Sequence, residues 1–484
     1  MSTLYNSFHT NKFLSSLQKL RQRLSNYWQL IRLSLSGTDQ DFTTMKLRKA
    51  IVLLSIPMVI EMIMESVFAV VDIFFVSKLG ADAVAIVGLT ESLMTIVYAI
   101  GFGLSMGTTA LVARRIGEKD IDGARSSAVQ AIIAGCLVSI VIAAGGVIYT
   151  REVLTLMGAS NSMVEQYHAF TSIMFGGNMV IILLFIINAI FRSAGDAAIS
   201  MRVLFMANLI NIVLDPILIF GLGPIPALGI KGAAIATNIG RGLAVAYQFY
   251  VLFRGNGRVA IKISDIVPDF KLLWSLIRLS LGGIGQNIIA TSSWIGMVRI
   301  VSEFGSGAVA GYTIAIRIII FSLLPSWGIS NAAATLVGQN LGAGKPDRAE
   351  RSVYITGVAN MILLLAISLV FIFLPAPFIR LFISDPNVLE YGITCLRIVS
   401  YGLMFYGLGM VMTQSLNGAG DTYTPTILNL ICFWMLEIPL AWFLALHLGY
   451  AFEGVFYAVF VAESILSLMG LAMIKRGKWK LKQV

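Results

Sequence analysis

The chain has 484 residues, 57% of them hydrophobic and only 12% charged, with a formal net charge of +10. A soluble chain of this length needs far more charge to cover its surface, so the composition excludes a soluble enzyme and points to a membrane protein. The basic balance then reads as Lys and Arg gathered on the loops of one membrane side, not as a nucleic-acid footprint.

In chain order, residues 1–47 lack the continuous apolar core of a secretory signal. Phe13, Leu14, Leu17, Leu20, Leu24, Tyr27, Trp28 and Ile31 recur at helical spacing between Lys12, Lys19, Arg21, Arg23 and Arg32. That pattern suits a basic amphipathic helix lying on an anionic membrane; the same Ser-rich, acid-poor stretch also fits an organelle transit peptide. Twelve apolar stretches long enough to span a bilayer follow, near 50–77, 83–113, 123–148, 164–191, 199–221, 232–253, 272–302, 308–338, 352–374, 388–416, 424–446 and 454–474. Pro57, Pro216, Pro325, Pro425 and Pro439 mark expected kinks or helix starts. The expected organisation is an extension (1–47), a six-helix lobe (48–254), a polar linker (255–271), a second six-helix lobe (272–475) and a basic tail (476–484). Of the 35 Lys and Arg, 26 fall on the side of the two termini and four (Lys78, Arg151, Lys231, Arg380) on the other, which predicts cytoplasmic termini.

A shift of 225 residues aligns the halves without a gap: Gly80-Ala81 meets Gly305-Ser306, Gly117 meets Gly342, and Ala194-Gly195-Asp196 meets Ala419-Gly420-Asp421. Two six-span repeats that start on the same side are related by an axis along the membrane normal, with a cleft between them.

Acids inside spans are expensive, and each is a functional candidate. Glu61, Glu65 and Asp72 share one stripe of span 1, which has no basic residue near them; like-charge burial there suits a proton carrier. The alternative for Glu61 and Glu65 is the wall of a wet vestibule. Asn211 and Asp215 lie one turn apart on span 5, before Pro216, in an arrangement fit for sodium or a protonatable network. Further candidates are Glu91 in span 2, Glu463 in span 12 and Glu437 before Pro439; Glu437 gives the second lobe an ionisable group or else pairs with Arg299, Arg317 or Arg397. The three histidines are scattered, and Cys136, Cys395 and Cys432 lie in apolar runs, so no metal centre or cofactor is expected. Gly342-Ala343-Gly344-Lys345 lacks the Ser or Thr of a phosphate loop, so an ion gradient, H+ or Na+, must supply the drive.

Ile56-Pro57, Val71-Asp72-Ile73-Phe74-Phe75-Val76, Asn211-Ile212-Val213-Leu214-Asp215-Pro216, Gly232-Ala233-Ala234-Ile235-Ala236-Thr237, Gly338-Gln339-Asn340-Leu341-Gly342 and Asn417-Gly418-Ala419-Gly420-Asp421-Thr422 together resemble the motifs of multidrug and toxic compound extrusion (MATE) transporters. The resemblance covers roughly residues 48–475. It implies an all-α, V-shaped membrane protein of twelve helices that expels small organic, often cationic, compounds in exchange for protons or sodium. In the branch with its cation site in the N-terminal lobe, the key residues match Asp72, Asn211, Asp215 and Thr237. Another branch has a glutamate midway along span 7, where this sequence has Gln286 and Asn287. The expectation is a protein of the cell (inner) membrane, in contact with lipid and working as a monomer. Its rivals are a lipid-linked oligosaccharide flippase, which needs a cationic cavity, and a channel or receptor.

Overall fold

The computed structural model describes Ser25 and residues 28–37, 41–255 and 257–484. Six helices form the first lobe: α1 (Leu47–Ser77), α2 (Ala81–Glu118), α3 (Ile121–Ile148), α4 (Asn161–Ala194), α5 (Ala197–Phe220) and α6 (Ile230–Arg254). Six more form the second: α7 (Phe270–Val301), α8 (Ser306–Gly342), α9 (Pro346–Phe373), α10 (Pro386–Ser400 and Leu403–Gly418), α11 (Tyr423–Leu446) and α12 (Ala451–Arg476). Nine of these are long and apolar enough to span a membrane among the described residues, and α10 makes a tenth although bent by 55° at its break. The charged α1 and α6 complete the twelve, and the protein is an integral membrane protein. Side-chain caps at Asp120, Ser160, Asp269 and Asp385 take up the free N–H groups at the starts of α3, of α4, of α7 and of α10. Leu137, Val141, Leu209, Ile295 and Ile362 stay exposed, an apolar belt that suits acyl chains.

The repeat is visible in the backbone. Gly80 and Gly305, Gly195 and Gly420, and Lys119 and Gly344 are all pairs offset by 225 residues, and all six have positive φ. The same offset relates the contacts between lobes. A Cβ on Gly117 would fall 2.0 Å from the Gln339 carbonyl oxygen, and one on Gly342 would fall 2.1 Å from that of Arg114. Exchanging the halves turns the first contact into the second. Gly328 against Met58 and Gly103 against Gly283 form a second exchangeable pair, and Gly338 against Ala113 maps onto itself, so the two-fold axis passes there. Glycine is required because backbones meet at these points.

All of these contacts lie in the half nearer the termini. Hydrogen bonds between lobes follow the same pattern among the described residues, with Gln339 Nε2 donating to Ser193 O at 2.7 Å and, midway along, Asn417 Nδ2 to Met106 Sδ at 3.7 Å. Toward the other face, Glu91 of α2 and Arg317 of α8 attract one another without forming an ion pair. The molecule is closed on the face of its termini and open on the other.

Both ends of the chain strap the closed face. Phe42 is buried beside Gly195, Lys345 Nζ donates to Thr43 O at 3.0 Å, and Arg348 donates to Phe42 O at 3.0 Å and to Met45 O. From the other terminus, Lys482 O accepts from Arg114 of the first lobe at 2.5 Å. Residues 28–36 are helical, whereas most of the amphipathic stretch read from the sequence (Phe13 to Leu24, and Tyr27) lies outside the described residues.

Candidate ion and substrate sites

A cavity of about 1210 Å³, counting the part open to solvent, lies between the lobes. Phe185, Phe102 and Trp327 form one wall, with the Phe102 ring centre 4.7 Å from that of Phe185 and 5.5 Å from that of Trp327. Its only charged lining residues among those described are Glu61, Glu65, Arg192 and Arg241.

The sequence alone suggests an acidic stripe with no neutralising charge, and here the structure departs from it. Arg192 of α4 reaches Glu61 Oε1 at 2.9 Å, with Asn188 Nδ2 3.4 Å from the same oxygen. Arg241 of α6 lies 3.4 Å from Glu65 Oε1, Asn208 Nδ2 lies 3.4 Å from Oε2, and the guanidinium stands over the Phe68 ring at 5.7 Å. The cause is that α4 continues to Ala194, capped by the left-handed Gly195, so that Arg192 sits inside the helix and not in a loop. Breaking a buried pair of this kind by removing one partner costs about 3–5 kcal/mol. Pro57 sets the approach of α1: it cannot donate to the Leu53 carbonyl, and the Ser34 hydroxyl does so instead at 3.0 Å.

One to two turns farther along α1, Asp72 meets α5 and α6. The structure brings together Asp72, Asn211, Asp215 and Thr237. Asn211 donates to Asp215 Oδ2 at 2.8 Å and accepts from the Thr237 hydroxyl at 3.1 Å. Asp215, Asn211 and Thr237 are buried. Asp72 and Asp215 are close enough to repel, Arg241 attracts Asp72, and each aspartate keeps one buried carboxylate oxygen, Oδ1, without a hydrogen-bond partner. Two carboxylates, an amide and a hydroxyl are hard oxygen donors suited to a small cation or a shared proton. Glu91 stands exposed on α2, near enough to Asp72 for their charges to interact.

In the second lobe, Glu437 is buried, but the pairing with an arginine does not occur. Arg299 pairs with Glu303 at 2.9 Å, Arg397 donates to Ile372 O at 3.3 Å, and Arg317 faces Glu91. The neighbour of Glu437 is a second acid, Glu463. At span 7, Gln286 and Asn417 exchange amide hydrogen bonds of 3.0 and 3.1 Å.

Two lobes of repeated helices around a cleft, with acids at membrane depth and closure on one face only, define the class as a polytopic transporter. The chain belongs to the MatE family, whose model matches it twice, over residues 57–217 and 284–443, once in each lobe. It is 24% identical over 91% of its length to the probable multidrug resistance protein NorM of Thermotoga maritima, covering 94% of that protein. It is 26% identical to the FAD transporter of Shewanella oneidensis, over 87% of this chain and 92% of that one. A solved outward-facing conformation of a multidrug resistance MATE transporter superposes with a TM-score of 0.86 at 25% identity, covering 91% of this chain and 98% of the other. The family is one of transporters, not enzymes.

Proposed function

We propose that the chain exports small organic compounds in antiport with a cation, a proton or sodium, that is taken at Asp72 and Asp215. The observation that carries this reading is the pair of unpartnered buried oxygens on two mutually repelling aspartates, in a lobe whose other two deep acids each hold an arginine. Such a site gains most from an incoming positive charge. A cation there relieves the repulsion and competes with Arg241 for Asp72, freeing the guanidinium to settle on Glu65 alone. Because Asp72 sits on α1, and α1 packs on α8 across the lobe boundary, occupancy at Asp72 bears directly on the lobe contacts.

The excess of Lys and Arg on the face of the termini supports reading that face as cytoplasmic and the present state as outward-open; a cell (inner) membrane is part of the same proposal. The names of the relatives include both multidrug resistance and FAD transport, so the family alone leaves the substrate open. The flippase reading needs a cationic cavity. Both arginines of the central cavity are neutralised, and Arg299, Arg317 and Arg397 do not line it.

The test is export of ethidium from proteoliposomes under a pH gradient or a sodium gradient imposed separately. One gradient should drive it, and Asp72→Asn should abolish the response while the protein still inserts. Undiminished gradient-driven export by Asp72→Asn overturns the assignment of the site.

A further inference from the structure

A second cavity, of about 680 Å³ with its open part, adjoins the central one inside the second lobe; Trp327 and Asn417 line both. Its walls carry the aromatic faces of Trp294, Trp327, Tyr406 and Phe433. Glu463 of α12 also lines it. That side chain is only 6% exposed and makes no hydrogen bond or ion pair among the described residues. Glu437, 5% exposed, stands close enough to interact with it electrostatically, and both carboxylates also interact with Tyr406. The buried Oδ1 of Asn429 is a further acceptor without a donor. Among the described residues, no Lys or Arg lines the cavity.

The backbone here is irregular. From Leu430 to Glu437, α11 widens into a π-helix, a form that is rare and concentrated at functional sites. It ends on Glu437, one residue before Ile438-Pro439.

The repeat sharpens the point. Gly232 and Gly454 each face the backbone of the preceding helix, at Leu218 and Leu444, which aligns α6 with α12 and places Glu463 where the first lobe has Arg241. The first lobe thus sets arginines against the two acids of the central cavity, Glu61 and Glu65, whereas the second-lobe cavity presents acid alone. Carboxylates left at membrane depth without a counter-charge are matched by a proton or by a cation, and a proton needs no aromatic chamber. Aromatic faces beside an acid are the surroundings in which an organic cation is held.

We propose that this cavity is the subsite that takes the positive group of a flat organic monocation, with Glu463 supplying the counter-charge, Glu437 reinforcing it and the aromatic walls holding the ring system. The inference rests on the export reading and moves cation selectivity from the balanced central cavity into the second lobe.

The probe is ethidium, with the full-length protein in lipid nanodiscs and binding measured by equilibrium dialysis. Glu463→Gln should weaken binding at least about tenfold and Glu437→Gln by less, whereas binding of the neutral dye Nile red should not change. Trp294→Ala, which keeps both carboxylates, should weaken ethidium binding about threefold and guards against a fold defect in the Glu463 variant. Wild-type affinity in Glu463→Gln, or equal loss of both dyes, overturns the subsite. If ethidium binding is unaltered by Glu463→Gln while export is still lost in Asp72→Asn, the subsite falls and the antiport reading stands. If Asp72→Asn exports normally but Glu463→Gln loses only ethidium, the opposite holds.

Discussion

The two lobes are copies in backbone but differ in how they handle charge. Where the first lobe places the ion pair Glu61–Arg192, the second, 225 residues on, places the reciprocal amide pair Gln286–Asn417. Both bridge the same two helices of the repeat at nearly the same length, 2.9 against 3.0 Å. Neither pair leaves net charge in the cleft. The difference teaches that the structural requirement is a polar tie between the first and fourth helices, which either chemistry satisfies. Charge that is not tied, at Asp72 and Asp215 in one lobe and Glu437 and Glu463 in the other, is what remains for ligands.

The strongest way to break this comparison is to remove one untied acid from each lobe in turn. Asp215→Asn should reduce gradient-driven export to background while leaving ethidium affinity within about twofold, because its amide still accepts from Asn211 but attracts no cation. Glu463→Gln should instead raise the half-saturating dye concentration and keep most of the maximal rate. Equal phenotypes would mean that the lobes do not divide the work. Next in size is the tie itself. Arg192→Asn leaves Glu61 buried and unpaired, and should destabilise the protein by about 3–5 kcal/mol. Adding Glu61→Gln converts the first lobe's tie into the second lobe's, and should recover most of that loss. Thermal unfolding of the two variants in the same detergent measures it, and a double variant no more stable than Arg192→Asn contradicts the equivalence.

Much of this was legible in the sequence because membranes make patterns strict. The twelve spans and the 225-residue register rest on apolar runs and turn residues; spacing grouped Asn211 with Asp215, whereas the full set of Asp72, Asn211, Asp215 and Thr237 was implied only by the motif resemblance to MATE transporters. Arg192 was hidden by a boundary: the apolar run ends near Phe191, but the helix continues until Gly195 stops it, and the Gly-Asp turn was the available signal. Arg241 stood within a span without a visible partner, because its contact with Glu65 joins helices 176 positions apart. The break in α10 and the π segment of α11 escaped for another reason. The α10 break, at Tyr401-Gly402, has no proline to mark it; the π segment ends two residues before Pro439, which signals an irregularity but not its kind, because widening of a helix turn leaves no trace in hydrophobic periodicity.

A smaller effect is expected at the two-fold axis, where both lobes depend equally on glycine. Gly117→Val forces a side chain into the Gln339 backbone, and overpacking of this sort costs about 1–3 kcal/mol. That cost falls only on the state closed at the termini, so the population should move toward the other state by roughly 5- to 150-fold. Spin labels at Asp82→Cys and Ser306→Cys, on a background free of the three native cysteines, report it as a shorter distance across the open face. An unchanged distance distribution would show that the seam is not the closing element.

The smallest effect concerns the strap that lies across both lobes. Partial burial pushes the Asp41 carboxyl up, but the Thr43 hydroxyl at 2.6 Å, its N–H at 2.8 Å and the charges of Lys119 and Lys345 outweigh this and hold it below the usual carboxylate range. Lys119 belongs to the first lobe and Lys345 to the second, so one ionised side chain is drawn to both. A folded-state value below the unfolded one means that the stabilisation is present above the ordinary carboxylate range and is lost as pH falls through the lowered value. Asp41 is exposed, so the contribution should stay under about 1 kcal/mol. Hydrogen exchange over residues 41–46 should therefore be a few-fold faster in Asp41→Asn than in the wild type at pH 7, and the two should converge once the pH has fallen below the lowered Asp41 value. A difference that persists at low pH would assign the effect to the lost geometry of the turn, since charge is by then absent from both forms.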